Sequence, residues 1–373
     1  MKKLLIMGGY GNVGKLLASY LLQHVPHFQI TIAGRNLTKA KETAEILMNQ
    51  YPGNAIYYCR ADAANKAMLL EVLSKIDMVV VASSSVRHIS HVAEAALETN
   101  TDYFDTQLSS PKKIETLRKY RAGIQDKQLI FITDGGFHPG VPGAMIHWAK
   151  QKLGTLTHAR VYAALKMDWS AYNYTYATIK EMLEEFKSFD PTWLENAQWK
   201  KTSWTNIPKW NFGEPYGELP CTPMLMEEIR SAPSQIKELH DTGFFISGFN
   251  PIMDNFLIPI LWVGIHILPP FLYWPLGRLF EWGIKLGKPP FGVKLVADCK
   301  GEKGSMQISA FHHDGYEITV IAIVACLKQY LSGSISTGLH LQAWAVEPDH
   351  FFDDMIHLGI EVSVMDYQDE PMS

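Results

Sequence analysis

Short apolar runs alternate with amphipathic stretches through the first third of the chain. Leu4–Met7, Gln29–Ala33, Ala55–Cys59, Met78–Ala82, Tyr103–Asp105 and Leu129–Thr133 are too brief for helices and read as strands. Between them, Lys15–His24, Leu37–Tyr51, Lys66–Leu73, Ile89–Glu98 and Lys112–Gln125 read as helices; in the first, Leu16, Leu17, Tyr20 and Leu21 share one side. Strands and helices alternating at this spacing imply right-handed crossovers and a parallel sheet.

The pattern changes near Gly135–Gly143. His158–Met167 reads as a strand and Thr178–Phe189 as a helix, while Trp193–Pro223, rich in Trp, Pro, Gly and Asn, reads as long loops. Val293–Ala297 and Ser305–His312 read as antiparallel strands around the turn Lys300–Gly304. Tyr316–Leu331 reads as an apolar helix, Pro348–Leu358 as another, and Glu361–Met365 as a strand. A length of 373 residues exceeds what one core usually serves. The expected fold is α/β, with an N-terminal Rossmann parallel sheet (1–142) and a second α+β domain (143–334). A tail (335–373) packs back on them.

One motif carries specific chemistry. Gly8-Gly9-Tyr10-Gly11-Asn12-Val13-Gly14 holds Gly9-x-Gly11-x-x-Gly14 between the first strand and the first helix. In a dinucleotide site the first glycine allows a tight turn, the second lets pyrophosphate approach the backbone, and the third lets helix pack on strand. The helix N-terminus then offers N–H groups and partial positive charge to the phosphates. The end of the second strand reads Ala33-Gly34-Arg35-Asn36, without the carboxylate that grips ribose hydroxyls in NAD sites. Arg35 can fork a 2′-phosphate, with Lys39 one turn on, so NADP is the expected cofactor and NAD the alternative. Asp62 after the third strand suits either a helix cap or an adenine contact. Ser83, Ser84 and Ser85 follow the fourth strand, at the carboxyl edge where ligands lie, or else cap the next helix.

With those segments placed, the chain resembles the saccharopine dehydrogenase-like family. The resemblance rests on the glycine loop, Ala33-Gly34-Arg35, Asp102-Tyr103-Phe104-Asp105 and Gly135-Gly136-Phe137-His138-Pro139-Gly140, in that order. Weaker echoes lie in Gly243–Asn250 and Phe351–Ile360. It implies a Rossmann domain, a mixed α/β domain, and NAD(P)-linked oxidoreduction of a small molecule in the cleft between them.

Hydride transfer belongs to the cofactor, so the protein must position substrate and handle one proton. Asp105, Asp134 and His138 stand at carboxyl ends of strands, and His138 has the ordinary pKa for the task, though Asp105 reads more readily as a helix cap or loop anchor and His138 as a turn residue bonded to backbone. Tyr103, Tyr172, Tyr174 and Tyr176 are further donors. Gly135 and Gly136 let backbone approach a ligand, or form the interdomain turn. Arg160 and Arg230 stand isolated in the second domain. Two rival readings remain: a non-catalytic dinucleotide-binding sensor or scaffold, and a reductase of a lipid-like substrate.

Composition narrows the partners. A formal charge of −4 gives no basic excess for nucleic acid. Cys59, Cys221, Cys299 and Cys326 form no CxxC pair, so no metal site is expected and a reducing, cytoplasmic setting fits. Lys2 and Lys3 precede too short an apolar run for a signal peptide. From Asn255 to Gly277 there is no Asp, Glu, Lys or Arg, and Pro259, Pro269, Pro270 and Pro275 argue for two short helices over one span. This stretch reads as core and homodimer surface, as an apolar pocket, or as a lipid or membrane-surface contact.

Overall fold

The computed structural model describes residues 1–373 except 173, 175, 203–206, 270, 272 and 368–373. It divides into two compact units: Met1–His147 with Tyr316–Gly359, and Trp148–Gly315 with Ile360–Ser373.

The first unit is built on a parallel sheet of seven strands. These are β1 (Lys2–Met7), β2 (Phe28–Gly34), β3 (Ala55–Arg60), β4 (Met78–Val81), β5 (Asp102–Asp105), β6 (Ile130–Thr133) and a late strand, Gly338–Leu341. Their order is late strand-β6-β5-β4-β1-β2-β3, so β1 lies between β2 and β4. Leu4, Leu5 and Ile6 have no exposed surface, as expected of a central strand covered on both faces. The strand order turns back between β1 and β4, the switch point where such sheets bind ligands. Asn36, Asn65 and Ser110 cap the helices Leu37–Gln50, Lys66–Leu73 and Pro111–Arg118 through their side chains.

Two expectations are corrected here. Lys112–Gln125 is two helices, Pro111–Arg118 and Arg121–Asp126. Tyr120 lies at the break, with its hydroxyl donating to Glu94 at 2.7 Å. The helix Gly315–Leu331 groups with the first unit from Tyr316 onward, unlike the expected 143–334 boundary. Its side chains explain this: Tyr20 donates to Glu317, Tyr330 donates to Asp102, and Gln329 donates to the Glu347 carbonyl. The tail divides, with Gly338–Leu341 beside β6 and the strand Glu361–Tyr367 in the other sheet.

The second unit carries a mixed nine-stranded sheet. Leu156–Lys166 runs at its centre, parallel to Asp241–Ser247 and antiparallel to Gly292–Gly301. Gly304–His312 and Glu361–Tyr367 extend one side. Trp193–Pro223 is not loop alone: it contains strands Thr192–Glu195, Gln198–Lys201, Lys209–Asn211 and Glu218–Pro223. Prolines and glycines hide the strand period. Phe212 and Cys221 are nevertheless buried against Tyr162 and Phe245, and the Trp210 ring stacks on Tyr162 at 4.1 Å.

The uncharged run forms two helices, Ile258–Ile267 and Tyr273–Ile284, with Pro270 and Leu272 outside the described residues. Tyr273 donates to the Ile265 carbonyl at 2.7 Å and ties the pair together. Among the described residues, no helix is long and apolar enough to cross a membrane.

Candidate functional site

The glycine loop joins β1 to the helix α1 (Asn12–His24). The left-handed backbone falls on Gly8, at φ +89°, and not on Gly9 as the motif suggested. A Cβ at Gly8 would lie 2.7 Å from the Ala82 carbonyl oxygen, at the end of β4. Gly9 instead lets the loop pass close to β2, where a Cβ would meet Ile32 at 2.9 Å. Both glycine N–H groups donate to the Ala33 carbonyl. Gly14 is the packing glycine: a Cβ there would lie 2.3 Å from the Gly8 oxygen. Gly11 differs, because a Cβ would meet only the Gly8 oxygen, at 3.2 Å, and otherwise open space. Gly11 is also the N-cap of α1 and brings no side-chain cap to the helix. The start of α1 therefore presents backbone to a space that a side chain at Gly11 would enter.

Tyr10 lies over the end of β2, where a Cβ on Gly34 would strike its ring at 2.4 Å, which explains that glycine. Its hydroxyl accepts the Asn36 N–H at 3.1 Å. The Asn36 side chain accepts the Lys39 N–H, so this residue caps its helix. Arg35 is exposed beside it. Asp62 accepts the N–H of Ala64 in a local turn, and the helix that follows is capped by Asn65. Ser83 and Ser85 share a hydroxyl contact at 3.0 Å, and Gln107 donates to Ser85 and to the Ser83 carbonyl. Ser84 is exposed. The turn after β4 is thus held from β5's side by Gln107, a residue the sequence did not single out.

At the ends of β5 and β6 the two carboxylates meet a partner that sequence reasoning missed. Lys113 Nζ lies 2.9 Å from Asp105 and 2.5 Å from Asp134, and all three side chains have no exposed surface. The ammonium also donates to the Gln107 carbonyl. Tyr103 and Thr133 donate to the other Asp105 oxygen, and Ser109 donates to Asp134. Burial pulls Lys113 toward neutrality, but the adjacent carboxylates outweigh it and hold the pKa up. Burial pushes Asp134 up and Tyr103 well up. The signal for Lys113 was its place eight residues after Asp105, in the first turn of the helix that follows β5.

Gly135 and Gly136 meet protein. A Cβ on Gly135 would strike the Phe104 ring at 2.2 Å. Gly136, at φ +135°, donates its N–H to Gln342 Oε1 and accepts from Gln342 Nε2. His138, two residues on, is half-buried, and desolvation lowers its pKa from 6.5 to about 4. Tyr172 donates to Asp314. Tyr174 borders a cavity of about 70 Å³ with Trp274 and Arg278, far too small for a dinucleotide. The Tyr176 side chain lies outside the described residues.

Neither Arg160 nor Arg230 is isolated. Arg160 is forked onto Asp241 at 2.7 and 2.8 Å and also reaches Glu195, while Arg230 pairs with Glu227 and Asp190. The four cysteines are free, and burial pushes the Cys59 thiol up to about 11 and Cys221 to about 12, so neither is a ready thiolate.

Residues 4–132 match the family model described as the saccharopine dehydrogenase NADP binding domain. No curated protein matches the sequence significantly. Among solved structures, the chain is similar to apo histidine-tagged saccharopine dehydrogenase (L-Glu forming) from Saccharomyces cerevisiae. That likeness has a TM-score of 0.67 at 14% identity and covers 98% of this chain and 100% of that one. A myo-inositol dehydrogenase from Corynebacterium glutamicum ATCC 13032 is more distant, with a TM-score of 0.46 at 12% identity over 96% of this chain and 93% of that one. At these identities the yeast enzyme shows a shared fold.

Proposed function

From the match of residues 4–132 to the saccharopine dehydrogenase NADP binding domain, we propose that this protein is an NADP(H)-dependent oxidoreductase of a small molecule. The observation that carries the reading is the loop itself: Gly14 and Gly8 are demanded by packing, whereas Gly11 faces open space at an uncapped helix start. A glycine kept where packing does not require one fits a phosphate that must approach the backbone. Bound there, the nicotinamide would supply or accept the hydride.

The remaining roles follow from what each side chain already does. Arg35 is exposed at the end of β2, and it is assigned to the 2′-phosphate through its planar donor fork. Asn36 and Asp62 have side chains engaged in a cap and a turn, so they shape that rim. Ser83 and Ser84 border the switch point and are assigned to the cofactor's ribose side. Asp105 and Asp134 are enclosed with Lys113 and are read as anchors of the β5 and β6 ends, the role the sequence favoured for Asp105, rather than as catalytic acids. His138, uncharged at neutral pH, is assigned to orient substrate by hydrogen bonding or to accept a proton, not to donate one from an imidazolium. With Arg160 and Arg230 already paired to carboxylates, the second unit offers neither of them to an acidic substrate.

Titration calorimetry with NADPH and NADH tests the cofactor, and NADPH oxidation with a panel of imines, ketones and enoyl compounds tests the activity. NADPH should bind more tightly, and Arg35→Ala should cost roughly 10- to 100-fold for NADPH alone, the worth of a charge-assisted fork. Equal affinity of the unaltered protein for both would defeat the NADP assignment.

A further inference from the structure

The helix pair Ile258–Ile267 and Tyr273–Ile284 is apolar on both its faces. Leu261, Ile265, Phe280 and Ile284 turn inward and are buried. Phe256, Ile260, Ile267, Phe271, Trp274 and Trp282 turn outward and are more than half exposed, reaching 74% at Ile267 and 79% at Phe271. An aromatic side chain carries roughly 150–250 Å², so at their exposures of 55–79% the four aromatic members alone display roughly 400–650 Å², and Ile260 and Ile267 add to it. The largest apolar patch of an ordinary monomer is about 300–600 Å². Something covers it in the working protein.

We propose that this hairpin is a lipid-surface anchor that inserts shallowly into an anionic membrane face. Charge is one argument. The chain is at −4 overall, yet the base of the hairpin carries three cations to one carboxylate: Arg278 and Lys285 share Glu281 at 3.0 and 2.9 Å, and Lys288 is exposed beyond them. The only other carboxylate nearby in sequence, Asp254, already accepts the Phe249 N–H. Order along the hairpin is the second. The most exposed apolar residues flank the connection, Trp274 follows, and Arg278 stands four residues beyond Trp274 in the same helix, about 6 Å back at helical rise. From the connection to Arg278, apolar tip, tryptophan and cation follow the sequence of depths in an interfacial anchor, which enters about 5–10 Å, and Trp282 lies behind that rim. No described helix is long enough to span, so the insertion is shallow.

A second copy of the chain explains the face less well. Protein interfaces carry about one hydrogen bond per 100–200 Å². Here Asn255 donates to the Pro251 carbonyl, and His266 Nδ1 is engaged with the Trp262 carbonyl of its own helix. Hydrocarbon asks for no polar partner.

The test is co-sedimentation of the full chain with vesicles of phosphatidylcholine containing about one-third phosphatidylserine, enough to give a negative surface potential. The unaltered protein should bind. Ile267→Glu with Phe271→Glu should reduce binding at least tenfold while leaving the melting temperature unchanged, because both residues are exposed. Arg278→Glu should weaken binding roughly fivefold or more on these vesicles and have little effect on pure phosphatidylcholine. A protein that stays in the supernatant at every lipid concentration overturns the proposal. So does a detergent-free dimer that the Ile267→Glu, Phe271→Glu variant converts to monomer without any vesicle binding by the parent.

Discussion

The Gln342 amide clamps the backbone of Gly136, 206 positions earlier, accepting its N–H at 3.1 Å and donating to its carbonyl at 3.2 Å. Gln342 has no exposed surface, and it follows directly on the late strand Gly338–Leu341 beside β6. The loop Gly135–Gly140 is therefore set by a segment from the far end of the chain.

Gln342→Leu should test that clamp. It keeps the volume but strands a buried donor and acceptor on Gly136, each costing about 1–3 kcal/mol. Urea unfolding should show a loss of at least about 1 kcal/mol, and limited proteolysis should find the loop more open. A variant as stable as the parent would mean that water replaces the amide.

The enclosed lysine makes a sharper case. Lys113→Met removes the cation from between two carboxylates, and breaking a buried pair typically costs about 3–5 kcal/mol. The double variant Lys113→Met with Asp134→Asn should recover part of that loss, because one of the stranded charges is gone. If the double variant is no more stable than the single one in denaturant melts, Lys113 and Asp134 are not coupled.

How far the sequence could lead is plain from these two clusters. Strands such as Leu4–Met7 and the loop Gly8–Gly14 were legible because buried parallel strands are continuous apolar runs and the glycines have fixed spacing. Asp105 and Asp134 were placed correctly at strand ends, but a local reading sees an acid at a ligand edge and not the lysine folded back onto it. Gln342 was illegible for the same reason in stronger form, since nothing near it in sequence marks a partner 206 residues away. The strands within Trp193–Pro223 escaped because they are three to six residues long and broken by proline and glycine, so no period of two accumulates.

Two glycines of the loop should separate folding from binding. Gly11 has an ordinary φ of −77°, and its Cβ would press only on the Gly8 oxygen at 3.2 Å. Gly11→Ala should fold with a loss under about 1 kcal/mol, near the usual cost of a surface change, and lose NADPH binding at least tenfold. Gly14→Ala should behave oppositely at first sight, because its Cβ would sit 2.3 Å from the Gly8 oxygen and 2.7 Å from the Gly9 Cα. Its melting temperature should fall before any binding is measured. Undiminished NADPH affinity in a folded Gly11→Ala protein would remove the main support for the phosphate site.

His138 supplies the pH prediction. Its imidazole titrates near 4 in the folded protein against 6.5 ordinarily, so between those values the unfolded chain binds more protons. Stability should therefore be full above about pH 6.5 and fall as the pH drops toward 4. A shift of this size is worth about 3 kcal/mol at the limit, and partial exposure brings it to roughly 1–2 kcal/mol. Comparison with His138→Gln isolates the effect, since every other titrating group is shared. Between pH 7 and pH 4.5 the parent should lose about 1–2 kcal/mol more than the variant in denaturant unfolding. Parallel stability curves would show that His138 titrates normally, and with that the argument for a neutral, hydrogen-bonding histidine at the site would go.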